Sequence, residues 1–282
     1  MNKQQNSIKL ICPDCKSKLN GSTHCNSCNW HIEKVSNEVI SLLPSELSEE
    51  KINENLIHLD DKESSVLWKD ILFKKKFYID RLLKYWKDKF LDAQKKSFLE
   101  IGGGYCYISC AVKHLRPDIS VWATDVSPSY LSLKSSRLAS FFDVKIDQYA
   151  AVDAENLPFE DESFDIIFIS HSIHHIGNTA RFFREVNRVL TKNGVFYGVD
   201  IAAPRLDYFY KKDAESRALR GEPLGIHERS IKLNQYASDL EAAGIEKYTI
   251  KHEKNRISKD IIDLKIKNYW RGVTIALSFP KN

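Results

Sequence analysis

At 282 residues, 43% of them hydrophobic and 28% charged, the chain is long enough for one large domain and a small one. The net charge of +4 is too modest to argue for nucleic acid by itself, no apolar run is long enough to span a bilayer, and Met1–Asn6 has no signal-peptide core. The expectation left by these exclusions is a cytoplasmic protein with no membrane partner.

In chain order, the first compact unit spans residues 8–43. Ile8-Lys9-Leu10-Ile11 reads as a strand entering the knuckle Cys12-Pro13-Asp14-Cys15. A hairpin with Asn20-Gly21 follows, then the second knuckle Cys25-Asn26-Ser27-Cys28. Val35 to Leu43, turning at Asn37-Glu38, reads as a further strand. A fold below about 40 residues needs a staple. In a reducing compartment paired CxxC motifs read as metal ligands sooner than as disulfides. Cys12, Cys15, Cys25 and Cys28 are therefore the expected ligands of one Zn2+ in a zinc ribbon. The competing reading is four unligated cysteines, with His24 and His31 as substitute ligands. Cys106 and Cys110 stand apart and are expected to pack in a core.

Pro44 to roughly Ser65 is polar and acidic and reads as a linker. Residues 66–94 read as helix, with Leu72, Tyr78, Leu82, Leu83, Trp86 and Phe90 on an apolar stripe. Lys74-Lys75-Lys76, Lys84, Lys87, Lys89, Lys95 and Lys96 make this region basic. The plain reading is the solvated face of a helix packed on the main domain; the sharper one is a surface that contacts phosphates.

From Ser97 onward strands and helices alternate: strand 97–101, helix 105–115, strand 119–124, helix 128–140, strands 144–149 and 164–169, helix 178–190 and strand 194–201. That order predicts an α/β domain around a parallel sheet. Residues 202–229 show no clear apolar period and read as a loop or lid. Helix 231–243 stops at Gly244, and two late strands, Lys247–His252 and Gly272–Phe279, are expected to pair antiparallel at the sheet edge. The expected division is a zinc-ribbon head over 1–45, a linker and helical segment over 46–96, and the main domain over 97–282 with a variable substrate region at 202–230.

Three segments carry the chemistry. Phe98-Leu99-Glu100-Ile101-Gly102-Gly103-Gly104 takes a strand end into glycines that let backbone approach a ligand. A second strand ends on Asp125, about 20 residues later, where a carboxylate can accept both ribose hydroxyl protons. The third, Asp153-Ala154-Glu155-Asn156-Leu157-Pro158-Phe159, leads into the strand-like Phe164–Ser170. In open α/β sheets ligands lie beyond the carboxyl ends of strands, where Glu100, Gly102, Asp125, Asp153 and Ser170 are all predicted. The three segments together point to S-adenosyl-L-methionine. Gly102, Gly103 and Gly104 would line its methionine part, Asp125 and Val126 its ribose, and Asp153 its adenine amino group with the Ala154 N–H nearby. Asp125 has a competing reading as a helix cap before Ser127-Pro128, and Asp153 as a turn carboxylate.

These segments, with Thr124-Asp125-Val126-Ser127, Ser163-Phe164-Asp165 and Arg184-Glu185-Val186-Asn187-Arg188-Val189-Leu190, resemble a class I S-adenosylmethionine-dependent methyltransferase of the small-molecule type. The resemblance runs over roughly residues 97–200 and implies a Rossmann-like sheet. The chain departs from it at Asn193-Gly194, where the family usually has Pro-Gly or Gly-Gly, and at Cys106, often a third glycine. The N-terminal unit is similar to the zinc-ribbon heads of some bacterial methyltransferases. One such group methylates guanine in ribosomal RNA and uses three Cys and one His, whereas this chain offers four Cys.

Methyl transfer displaces a good leaving group in line, so the protein mainly aligns and desolvates; a hydroxyl acceptor also needs a base. Ser170-His171-Ser172-Ile173-His174-His175 follows a strand end and should lie beside the transferred methyl. His171, His174, His175, Asp200 and His227 are the candidates, with His171, Asp200 and His227 preferred for substrate contact or base, His175 expected to be structural, and the pair His227-Glu228 read either as part of the site or as a surface loop pair. The Asp/Asn-Pro-Pro-aromatic motif of adenine and glutamine amino-methyltransferases is absent after the fourth strand. The leading expectation is methylation of a hydroxyl, or an amine, on a sugar or metabolite. Ribosomal RNA methylation with the zinc head gripping RNA is the alternative, and a non-catalytic zinc-ribbon adaptor the second. Zinc removal is expected to unfold residues 8–43 and spare the main domain.

Overall fold

The structure, a computed structural model, describes residues 8–57, 79–80, 92–252 and 273–281. Most of the basic helix expected over 66–94 lies outside these residues. Five strands form the parallel centre: β3 (Ser97–Ile101), β4 (Ser120–Asp125), β5 (Gln148–Ala151), β6 (Phe164–Ser170) and β7 (Leu190–Ala202). Phe98, Leu99 and Ile101 on β3 and Ile166 through Ile169 on β6 are all buried. Such unbroken apolar runs are what a parallel sheet covered on both faces requires. With β1 (Glu33–Lys34), β2 (Val39–Ser41), β8 (Thr249–His252) and β9 (Val273–Pro280) at the flanks, the full order is β1-β2-β5-β4-β3-β6-β7-β9-β8. The two late strands, β8 (Thr249–His252) and β9 (Val273–Pro280), pair antiparallel at the edge as expected.

Helix α2 (Tyr107–Leu115) follows β3 and buries Tyr107 through Val112. Helix α3 (Ser136–Phe142) is reached through one α turn, Pro128–Tyr130, and a π turn, Leu131–Ser135. The side chain of Ser127 caps this run by accepting from Tyr130 N. Helix α4 (Thr179–Val189), capped by Asn178, buries Phe182, Phe183, Val186 and Val189.

The head does not stand apart. Its strand β1 (Glu33–Lys34) pairs antiparallel with β2 (Val39–Ser41), and β2 continues the main sheet as a parallel neighbour of β5. Cys12, Leu19, Trp30 and Leu42 lie in the same buried cluster as Leu99, Phe159 and Phe164. Ile11 N donates to Pro158 O at 3.1 Å, Glu160 N to Lys9 O at 3.0 Å, and Asn156 Nδ2 to Pro13 O at 3.0 Å. Two units that share one core are expected to melt together, in contrast to a main domain that survives without its head. Ile8–Ile11 makes isolated bridges, Leu10 to Phe159 and Ile11 to Lys18, in place of a regular strand.

Three further expectations shift. The strand expected at 144–149 is β5 at Gln148–Ala151. Asn193-Gly194 lies inside β7, where a register shift accommodates it and Asn193 adopts φ 64°. Part of the expected loop 202–229 is helix α5 (Asp207–Gly221), followed by a 3-10 turn at Glu222–Leu224. Of its residues only Arg217 and Gly221 are buried, so no apolar stripe announces it. Helix α6 (Leu233–Ala242) packs on α4. Among the described residues no helix is long and apolar enough to cross a membrane.

Candidate active site

A cavity of about 530 Å³ opens beyond the carboxyl ends of β3, β4 and β6. Its first end is mostly backbone. Gly102 and Gly104 turn the chain with φ 59° and 52°. A Cβ on Gly102 would sit 2.8 Å from Ser172 Cβ, and one on Gly104 would sit 3.3 Å from the Tyr130 ring. Glycine is therefore required at Gly102 by both conformation and space. Cys106, where a third glycine is usual, takes φ 56° with its side chain buried. Asp125 holds the loop: Oδ2 accepts from Gly104 N at 2.8 Å and Oδ1 from Ser127 N at 3.0 Å. Gly102, Gly103, Gly104, Asp125, Val126, Asp153, Ala154 and Ser170 all line the cavity.

Glu100 does not. It is 2% exposed beneath the glycine loop, where Oε2 accepts from Ser109 N at 2.8 Å. Burial raises its carboxyl from 4.5 to about 7. Its place is under α2, tying the helix start to β3, so contact with a ligand is not its part. Cys110 is likewise buried, and burial pushes both its thiol and that of Cys106 up, which makes them inert.

Over the cavity lies α1 (Glu49–Ile57). Lys51 Nζ reaches both oxygens of Asp153 at 2.8 Å and Glu155 Oε1 at 3.4 Å. Asn53 Nδ2 donates to Gly225 O at 3.0 Å, which joins α1 to the segment after α5. Leu224, Ile226 and Glu228 of that segment face into the cavity.

The second end is built of side chains. His171 lines the cavity in a left-handed conformation, φ 54°, which a non-glycine residue keeps only when its surroundings impose it. His174 and His175 follow on a 3-10 turn, with ring centroids 4.3 Å apart. Asp200, fully buried, accepts from His174 N at 3.0 Å, from Ile201 N at 2.7 Å and from His174 Nδ1 at 2.7 Å. It is therefore behind the site, orienting His174, and its expected contact with substrate is corrected accordingly. His227 lies near Glu50 of α1, 4.0 Å away, and contributes its carbonyl, not its ring: His175 Nδ1 donates to it at 2.7 Å. A carbonyl only accepts, so the His175 proton sits on Nδ1 and Nε2 carries the lone pair. That Nε2 is 3.8 Å from Glu228 Oε1. Glu228 is held in turn by Arg217, itself 5% exposed, at 3.3 Å.

Lys51, which the sequence does not single out, and His175, expected to be structural, both line the cavity, as do Ser172 and Glu228. Of the pair His227-Glu228, the acidic member is the one that faces into the cavity.

In the head, Cys12 Sγ is 3.5 Å from Cys28 Sγ, and Cys15 Sγ is 3.4 Å from Cys25 Sγ. All four sulfurs lie within 4.8 Å of one another. His24 and His31 stack on each other, with centroids 5.9 Å apart, outside that cluster.

Residues 99–213 match the family model described as a methyltransferase domain. This part of the chain is similar to that family. The chain is similar to the demethylmenaquinone methyltransferase of Thermotoga maritima, 26% identical over 122 residues, which cover 43% of this chain and 51% of that protein. It is also similar to the ubiquinone/menaquinone biosynthesis C-methyltransferase UbiE of a Shewanella species, 27% identical over 167 residues, or 52% of this chain and 65% of the relative. The chain thus spans between about half and two thirds of the length of these curated relatives. Among solved structures, the YcgJ protein of Bacillus subtilis aligns with a TM-score of 0.50 at 20% identity, covering 73% of this chain and 99% of that one. That likeness concerns the Rossmann-like methyltransferase fold.

Proposed function

We propose that this protein transfers the methyl group of S-adenosylmethionine to a small acceptor, a hydroxyl or amine of a sugar or metabolite. The observation that carries this reading is one cavity with two kinds of wall. At one end glycine backbone and two carboxylates, Asp125 and Asp153, match the hydroxyls and amino group of an adenosyl ligand. At the other, His175 lines the cavity with its Nδ1 engaged by the His227 carbonyl, so its Nε2 is the nitrogen that could serve a hydroxyl acceptor as base. Asp153 is engaged by Lys51 in this structure, so an adenine amino group would take over contacts that an ammonium now makes. The relatives named above act on quinone precursors by their names, and an apolar lining from Ile176, Leu224 and Ile226 would suit an acceptor with a carbon ring.

The head is proposed to hold Zn2+. Tetrahedral Zn–S bonds of about 2.3 Å place sulfurs roughly 3.8 Å apart. The four cysteines stand near that spacing and come from two knuckles, so they fit. The ion would then be a staple for residues that join the main core. The RNA reading rests mostly on lysines outside the described residues, and the small-acceptor reading takes precedence.

The test is transfer of label from tritiated S-adenosylmethionine, after calorimetry has established cofactor binding. Two pools are offered: protein-free total RNA and a small-molecule extract. Label in the small-molecule pool is expected. Label confined to large RNA would replace the acceptor class, and absence of cofactor binding would remove the reading altogether.

A further inference from the structure

Two groups of metal-ligating side chains come together among the described residues. One is the cysteine set of the head. The other is His174, His175 and Glu228, with one donor atom of each within 4.8 Å of the others. We propose that this second group is a metal site at the acceptor end of the cavity, holding Zn2+ or a divalent transition ion of similar preference.

The outer partners argue for it. Histidines that bind metal almost always give their other ring N–H to a carboxylate or a backbone carbonyl, which fixes the tautomer. Both histidines do so here. His175 Nδ1 donates to the His227 carbonyl at 2.7 Å, and His174 Nδ1 to the buried Asp200 carboxylate at 2.7 Å. Each ring then carries its lone pair on Nε2. Asp200 is 0% exposed and is committed to three donors, two of them backbone N–H groups. Such a carboxylate is placed to orient a ring, not to reach solvent. Glu228 repeats the pattern: Arg217 holds Oε2 at 3.3 Å, and Oε1 is the oxygen turned to His175 Nε2 at 3.8 Å. A tetrahedral ion with bonds near 2.1 Å separates neighbouring ligands by roughly 3.4 Å, so this pair needs to close by only a few tenths of an ångström.

The donor set selects the ion. Two imidazoles and one carboxylate suit zinc and its first-row neighbours, whereas magnesium and calcium prefer oxygen alone. Three protein ligands leave at least one open position, the hallmark of a catalytic rather than a structural site. His175 and Glu228 line the cavity beside His171, so an open position there faces the reacting space.

The ion's role toward the acceptor rests on the methyl-transfer reading; its binding does not. An acceptor hydroxyl bound at the open position would lose its proton to water more readily. Its oxygen lone pair would then form the new O–CH3 bond as the C–S bond breaks, and that electron pair would return to sulfur, leaving a neutral thioether. The ion would thus take the place of His175 as the base.

The experiment is a Co2+ titration of the full chain followed by absorption spectroscopy. The first equivalent fills the cysteine set and carries thiolate-to-cobalt charge transfer in the near ultraviolet. A second equivalent is expected, with visible ligand-field bands and no added thiolate band. In His175→Ala and in Glu228→Ala the second equivalent should weaken by at least about tenfold while the first is unchanged. The surface control His114→Ala should bind as wild type does. Saturation of the wild-type chain at one equivalent, all of it thiolate-bound, overturns the site without needing any variant to fold. A second equivalent that survives both substitutions overturns it as well. Cofactor binding, measured separately by calorimetry, tells failure of this site from failure of the methyl-transfer reading.

Discussion

The two ends of the cavity are built by different means. The glycine end is backbone, set by Gly102 and Gly104 and pinned by Asp125, which holds Gly104 N from 21 positions on. The acceptor end is side chains drawn from two remote stretches: His171 and His175 after β6, and Glu228 after α5. A backbone site needs particular residue types at fixed short spacings, and these survive as a pattern in one dimension. A side-chain site needs only that distant segments meet, and no local rule records the meeting.

The largest expected effect falls on the support of the glycine end. The cysteine knuckle is hydrogen-bonded to the 156–160 segment and its residues share the main core. Chelating the metal from the full chain should therefore abolish one cooperative unfolding transition and cofactor binding together. Two calorimetric transitions, with binding retained after the first, would instead make the head an independent unit. At the acceptor end, His175→Ala should lower kcat by about 10²–10⁴-fold and leave cofactor affinity within about twofold. A matching rise in the cofactor Kd would show that the two ends are not separable.

The glycine end has its own variant. Asp125→Ala removes a carboxylate that braces the loop and would receive ribose hydroxyls, at about 1.5–3 kcal/mol for each charge-assisted bond. Cofactor Kd should rise at least about tenfold by calorimetry; an unchanged value would sink the assignment.

This contrast explains what could be read in advance. The parallel sheet, its helices and the cavity-lining residues from Gly102 to Ser170 follow from apolar runs that end on glycine or acid. Helix α5 could not be read so, because it exposes Tyr208 and Leu219 and buries little besides Arg217. Asp200 and His227 are expected near the chemistry from their position along the chain, and each instead meets a neighbouring histidine, one through its carboxylate on His174 and one through its carbonyl on His175. Direction of approach is a tertiary fact. Lys51 sits in an acidic, linker-like stretch, and nothing there marks it as the partner of Asp153.

Glu100 offers a measure of how tightly the glycine end is sealed. Its folded value of about 7 lies above its ordinary 4.5, so the folded chain keeps a proton that the unfolded chain releases. The stability this confers is full below about pH 4.5 and is lost as pH rises through about 7, a change on the order of 3 kcal/mol. Urea unfolding at a series of pH values should show that decline, and Glu100→Gln should flatten it. A wild-type profile already flat across this window would mean that water reaches the carboxyl.

The smallest effect asks whether the head shapes the adenosyl end or merely adjoins it. Asn156 is 8% exposed; its Nδ2 donates to Pro13 O at 3.0 Å and its Oδ1 accepts from Lys16 Nζ. Asn156→Ala leaves both partners short of a bond, at about 1–2 kcal/mol, which for a chain this size lowers Tm by a few degrees. If Kd for the cofactor stays fixed while Tm falls, the 153–158 loop takes its shape from its own bonds, chiefly Glu155 N to Asp153 Oδ1 at 2.9 Å, and the cysteine knuckle is a buttress. If Kd rises with the fall in Tm, the knuckle sets the position of Asp153 itself, and the head becomes part of the cofactor site through a single amide.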